Sequence, residues 1–265
     1  MSRIGLRCAW WFLCCGPGGL IVAAAGAGAI KANFSMPEKT VTLHEPVYVL
    51  LSINNASQEP ISLDLGKDRE ANFLFVVTDA AGRRVSVPPR LGGGFGESGH
   101  VLLDAGGTYS QKLLLNKWYR PTRPGAYRVQ VTLGPPPQRA RPGYPAWSSD
   151  LMSFRVLPRD PSRLAGVCQS LLDLALRSAD YRVSSGAAID LSYIRDPIAV
   201  PYLSVLLAAD KPVSSTAVAG LRRIATPEAV AVLTANLNAR DPALRAQIRT
   251  ALEEIRTGSH ATVTD

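Results

Sequence analysis

Three histidines and four cysteines are the residues of this 265-residue chain best suited to acid–base, nucleophilic or metal chemistry. His44, His100 and His260 lie far apart, and His260 sits in a polar tail. Neither an HExxH pair nor a CxxC pair occurs, so zinc-ligand spacing is lacking. Ser98 and His100 are too close in sequence to make a nucleophile and its base, and there is no GxSxG elbow. The run RLGGGFGESGH, from Arg90 to His100, looks at first like a phosphate cradle. Such a loop needs a helix after it and a Lys within it. Here the strand-like VLLD follows and Lys is missing, so the run reads as a strand connection. Cys8, Cys14 and Cys15 fall in an N-terminal apolar run, which leaves Cys168 without a partner for a disulfide framework or metal cluster. Cys168 shares a helical face with Leu164, Leu171 and Leu172, the setting of a buried, inert thiol. No catalytic residue, cofactor ligand or metal ligand is assigned.

The remaining chemistry is that of binding. The net charge is +8, carried mostly by Arg. Arg222, Arg223, Arg249 and Arg256 fall at spacings that could line one ridge of a helical stack. Exposed Arg makes bidentate contacts to carboxylate or phosphate. That ridge would suit an acidic protein partner or an anionic envelope polymer; the alternative is a solvated surface with internal ion pairs, Arg249 with Glu253 and Arg245 with a preceding Asp among them. A second candidate is the Pro-rich, basic loop 134–150, which carries Tyr144 and Trp147. Aromatics on an exposed loop can be binding hot spots. The alternative is that the rings cover the edge of a sheet. Nucleic acid is not expected as a partner.

Residues 1–30 have the layout of a targeting segment. Arg3 and Arg7 precede a run without charge until Lys31, closed by small residues such as Ala25-Gly26-Ala27. That is the pattern of a secretory signal peptide, and the run is also long enough for a membrane anchor. Either way the rest of the chain is expected outside the cytoplasm. If the segment is retained, it supplies the one membrane contact.

From residue 31 to 157 the apolar period is two. TVTLHEPVYVLLSINN, NFLFVVTD, AYRVQVTL and LMSFRVLP alternate apolar and polar residues, and Gly, Pro, Asn and Asp separate them. Short strands in this rhythm predict an all-β sandwich. Pro124-Gly125 is followed at one remove by Tyr127 and then by alternating Val129 and Val131. Together with EPVYVLLSINNASQEPISLDLG upstream, this segment resembles the immunoglobulin-like domains of secreted bacterial proteins. The resemblance implies a Tyr that hydrogen-bonds back to the backbone at a corner, and it carries over no catalytic residue. Asn33 and Asn55 begin Asn-x-Ser triplets, which matter only on a eukaryotic secretory route.

Near Pro158 the period becomes helical. A shift of thirty residues superposes Leu191 on Leu221, Ile194 on Ile224, Pro197 on Pro227, Leu203 on Leu233 and Pro212 on Pro242. A repeat of this length with helical spacing predicts stacked helix pairs. Asp160-Pro161, Asp196-Pro197, Thr226-Pro227 and Asp241-Pro242 each join a capping side chain to a Pro that needs no N–H partner. Helices are predicted at about 161–178, 186–195, 197–209, 213–225, 227–239 and 242–256. DPALRAQIRTALEEI and DPIAVPYLSVLLAAD resemble HEAT-like repeats of the phycobilisome-lyase type; the resemblance implies a short solenoid that binds proteins, without the lyase activity of some relatives.

The expected fold class is therefore multidomain β plus α: an immunoglobulin-like sandwich over 31–157, a HEAT-like α-solenoid over 158–258 and a disordered tail over 259–265. The expected function is a non-enzymatic extracytoplasmic interaction or scaffold protein. The alternatives are a structural envelope component and a hydrolase whose site is dispersed in sequence.

Overall fold

The computed structural model describes residues 30–65, 72–87, 100–134, 147–209 and 213–258. The expectations for the N-terminal segment, the Arg90 loop, Tyr144 and the tail beyond residue 258 lie outside these. Among the described residues no helix is long and apolar enough to cross a membrane.

The first unit is built from strands. β1 (Ile30–Ser35), β3 (Tyr48–Asn55) and β8 (Thr108–Leu114) form one sheet with β3 in the middle. A second sheet has the order β2 (Thr40–Thr42), β11 (Met152–Leu157), β9 (Gly125–Leu133), β5 (Phe73–Thr78) and β6 (Arg84–Val87). β10 (Trp147–Ser148) adds to β9, and β4 (Ile61–Asp64) pairs with β7 (His100–Leu103). Among the described residues the pairings are antiparallel except one: β2 runs parallel to β11, with Thr40, Val41 and Thr42 opposite Arg155, Val156 and Leu157. Successive strand residues point to opposite faces, so the alternating sequences deliver one apolar face each. Val49, Leu51 and Ile53 of β3 meet Phe73, Phe75 and Val77 of β5 and Val129 and Val131 of β9 in a single core.

Two side chains pin the ends of this unit. The Tyr127 hydroxyl donates to the Arg123 carbonyl at 2.7 Å, the corner bond expected from the sequence. Asn55 is fully buried, and its amide donates to the carbonyls of Glu59, Leu103 and Asp104. Its Asn-x-Ser triplet thus holds strands together.

Six α-helices follow among the described residues: α1 (Pro161–Arg177), α2 (Tyr181–Ser192), α3 (Val200–Ala208), α4 (Ser214–Ile224), α5 (Pro227–Ala235) and α6 (Pro242–Thr257). The four predicted caps all form. Asp160, Asp196, Thr226 and Asp241 accept from the N–H groups of Arg163, Ile198, Ala229 and Ala243. α1 packs on α2 and α3 on α4, while α4 lies between α2 and α6. The thirty-residue repeat is visible in the core, where Leu191, Leu221, Leu203, Leu233, Ala199 and Ala229 are all fully buried. Cys168 is buried among them, and burial pushes its thiol pKa up to about 12, so the thiol is unreactive.

Three of the helices differ from expectation by more than one residue at an end. α2 begins five residues earlier than predicted, capped by Asp180. The third predicted helix opens with a tight 3₁₀ turn, Pro197–Ala199. Pro201 has no N–H for the residue 197 carbonyl, so the turn closes instead through the Val200 N–H to that oxygen. α5 stops at Ala235, and residues 236–238 continue as turns.

Candidate functional site

The two units meet across a seam of charged groups that lie far apart in sequence. Asp196, after α2, is buried and accepts from Arg159 Nε at 2.6 Å and Nη2 at 2.8 Å. Arg163 on α1 makes the same two-pronged contact with Glu45, Nε to Oε2 at 2.8 Å and Nη2 to Oε1 at 2.9 Å. It also donates to the Thr40 carbonyl and reaches Glu38. Asp190, in the last turn of α2, accepts from the Tyr48 hydroxyl at 3.0 Å and from Lys112 at 2.7 Å. The Lys112 ammonium lies 4.4 Å from the Tyr48 ring centroid, a cation–π contact. Thr42 completes the seam: its hydroxyl donates to the Pro158 carbonyl and accepts from the Asp160 N–H. Buried carboxylates are tolerable only when paired and hydrogen-bonded, and each of Glu45, Asp190 and Asp196 finds at least one of its partners on the other unit or on the connecting segment.

His44 sits at the centre of this seam. It lies in the turn between β2 and β3 with φ +75°, a left-handed conformation rare for a residue with a Cβ. The turn is held by Glu45, whose carboxylate accepts from the Thr42 N–H and whose own N–H donates to the Thr42 carbonyl. His44 Nε2 is 4.0 Å from Asp196 Oδ2. Burial pushes the imidazole pKa below its ordinary value; Asp196 opposes this, while Arg120 and Arg159 reinforce it. The hydrogen bonds from Arg159 hold the Asp196 carboxyl below the usual carboxylate range. The ring stands beyond hydrogen-bond reach of Asp196, both of whose oxygens are engaged by Arg159.

Beside the seam lies a cleft of about 430 Å³, lined by Glu38, Glu45, Pro46 and Tyr48 from the β unit and by Arg163, Val167 and Leu171 from α1, among others. It is the shared surface of the two units and sequence reasoning did not find it.

The arginines singled out in the sequence are placed differently from one another. Arg222 pairs with Glu254 on α6. Arg223 stacks over the Tyr193 ring at 4.1 Å and donates to the Ser192 hydroxyl and carbonyl. Arg256 chelates Glu253. Arg249 is exposed on α6. The expected pair of Arg249 with Glu253 is replaced by Arg256 with Glu253, because Arg256 delivers two nitrogens to the carboxylate. Arg245 donates to the carbonyls of Ala239 and Arg240, closing the turn before α6 instead of meeting an Asp. Trp147 is half-buried against the β core, where β10 pairs with β9.

Comparison with known proteins follows the same division. Residues 36–156 match the family of the flagellar collar protein C N-terminal domain. Residues 168–254 match HEAT repeats. A β unit similar to that collar domain is thus followed by helices that match HEAT repeats, and both matches point to a protein-interaction or structural role. No curated protein matches. Among solved structures, the chain is similar to a β-glucosidase from Listeria innocua in complex with glucose at 17% identity over 48% of its length, with a TM-score of 0.26. The CARDB domain of a Pyrococcus furiosus protein shows 10% identity over 48% of this chain and 87% of that one, TM-score 0.26. The chain spans only 16% of the glucosidase. Likenesses this distant decide nothing about fold or activity.

Proposed function

We propose that this chain is a non-enzymatic component of a protein assembly in the bacterial cell envelope, related in role to the flagellar collar protein whose N-terminal domain it matches. The match over residues 36–156, joined to HEAT repeats, is the observation that carries the reading. Exposed Arg249 and the solenoid surface around it are the docking face for an acidic partner. Export rests on Arg3 and Arg7 ahead of the long uncharged run.

The immunoglobulin-like reading of the β unit belongs to the same proposal. Its first strand changes sheets, with β1 paired to β3 and β2 paired in parallel to the last strand. The order β11-β9-β5-β6 and the Tyr127 corner fit that class.

The test is biochemical. A tagged full-length chain is expressed at native level in its own host, and flagellar basal bodies are purified. Co-purification lost on deletion of residues 36–156 supports the reading. A chain found throughout the cytoplasm, or absent from the basal bodies, overturns it.

A further inference from the structure

We propose that His44 makes the seam acid-sensitive: protonating its ring loosens the docking of the helical unit on the β unit. Three geometric facts combine. His44 Nδ1 is buried, and among the described residues it has no hydrogen-bond partner. Nε2 faces Asp196 Oδ2 at 4.0 Å. The backbone is held at φ +75° by a turn whose other members bind the linker and α1.

A neutral imidazole suits this place. With Nε2 turned toward the Asp196 carboxylate, the neutral tautomer that fits carries its proton there and leaves Nδ1 as a bare acceptor. A second proton would create a charged N–H on Nδ1 inside the seam with nothing to receive it, and an unsatisfied buried donor is expensive. The charged groups facing the ring are Asp196 from the segment after α2, Arg159 from the linker, and Arg120 from the loop after β8. Two of these three are cations. Asp196 is the single attraction, and Arg159 already occupies both of its oxygens. Glu45, next in the turn, is committed to Arg163 and to the Thr42 N–H. Opening the seam lets Nδ1–H reach water, so the open form binds the proton better.

The pH window follows from the direction of the shift. The docked pKa lies below the ordinary 6.5, which the ring regains when undocked. Docking is therefore full above pH 6.5 and weakens as pH falls from there toward the docked value, by up to about tenfold per pH unit.

The Asp160 N–H reports docking directly, since it donates to Thr42 across the seam. Hydrogen exchange of the full chain, corrected for the intrinsic pH dependence of exchange, is followed by mass spectrometry from pH 7.5 to 5. Peptides covering residues 158–163 are compared with β5 and β9. Protection at the seam is expected to fall below pH 6.5 while the strands stay protected. His44→Asn, whose residue tolerates the left-handed backbone, is expected to abolish the seam's slope. A slope unchanged in His44→Asn overturns the proposal, as does flat protection in the unaltered chain. NMR titration of the unaltered chain gives an independent reading: a His44 pKa at or above 6.5 overturns it whatever the variant does.

Discussion

Arg159 and Asp196 are gripped two-on-two, although one belongs to the connecting segment and the other follows α2. The nitrogen–oxygen distances are 2.6 and 2.8 Å, and the same carboxylate caps the Pro197–Ala199 turn by accepting from the Ile198 N–H. One side chain thus anchors the linker, starts the second helical layer and faces His44.

Replacing Asp196 with Ala is expected to destabilise the chain by at least the ~1 kcal/mol of a lost helix cap. The loss will be read as a lower urea midpoint, and it should vanish in strong acid. The folded pKa of Asp196 is held below 3.8, so its contribution is complete above that value. It disappears as pH falls through the lowered folded value. A variant equal in stability to the parent at pH 7 would show that the grip contributes nothing.

The caps and the repeat core were legible because their signals are local. Three Asp-Pro pairs and one Thr-Pro pair mark four helix starts, and a shift of thirty residues finds the buried leucines. The start of α2 was hidden because YRVSSG carries no apolar period, and its cap, Asp180, has no Pro beside it. The seam was hidden for a different reason. Arg163 and Glu45 are 118 residues apart, and Tyr48 and Asp190 are 142 apart. No pattern within either unit distinguishes those charges from surface ones. The same blindness affected Arg222, whose partner Glu254 stands on a helix two steps later.

Leu203 and Leu233 occupy equivalent, fully buried places in successive layers. Truncating either to Ala should cost about 2–5 kcal/mol. Chemical denaturation followed by circular dichroism will measure both. A cost below about 0.5 kcal/mol at each, the scale of a surface change, would contradict their equivalence.

Two helical glycines should respond to Ala with opposite signs. A methyl at Gly166 of α1 meets nothing within 4 Å. Gly166→Ala should therefore raise stability by about 0.5–1 kcal/mol through helix propensity. A methyl at Gly220 of α4 would lie 3.0 Å from both Leu203 methyls and from the Ser192 Cα. Because the last contact is backbone, Gly220→Ala should be destabilising despite the better propensity. Thermal melts of the two variants will decide the signs.

Tyr127→Phe removes the hydroxyl that holds the Arg123 carbonyl. A loss of about 0.5–1.5 kcal/mol is expected, the usual net worth of one hydrogen bond. Urea unfolding monitored by Trp fluorescence is a suitable readout, since Trp118 is buried against Phe75. An unchanged midpoint would mean that the corner closes without it.

The parallel pairing of β2 with β11 has a mechanical meaning. The chain enters β2 at one end of the pair and leaves β11 at the other. A pull on the segment before β2 against one on the helical unit would load these strands along their lengths in opposite directions. Their hydrogen bonds would then be loaded in shear, all at once, instead of being unzipped one by one. Thr42, bonded to both Pro158 and Asp160, stands where that load passes from the strands into the helical unit.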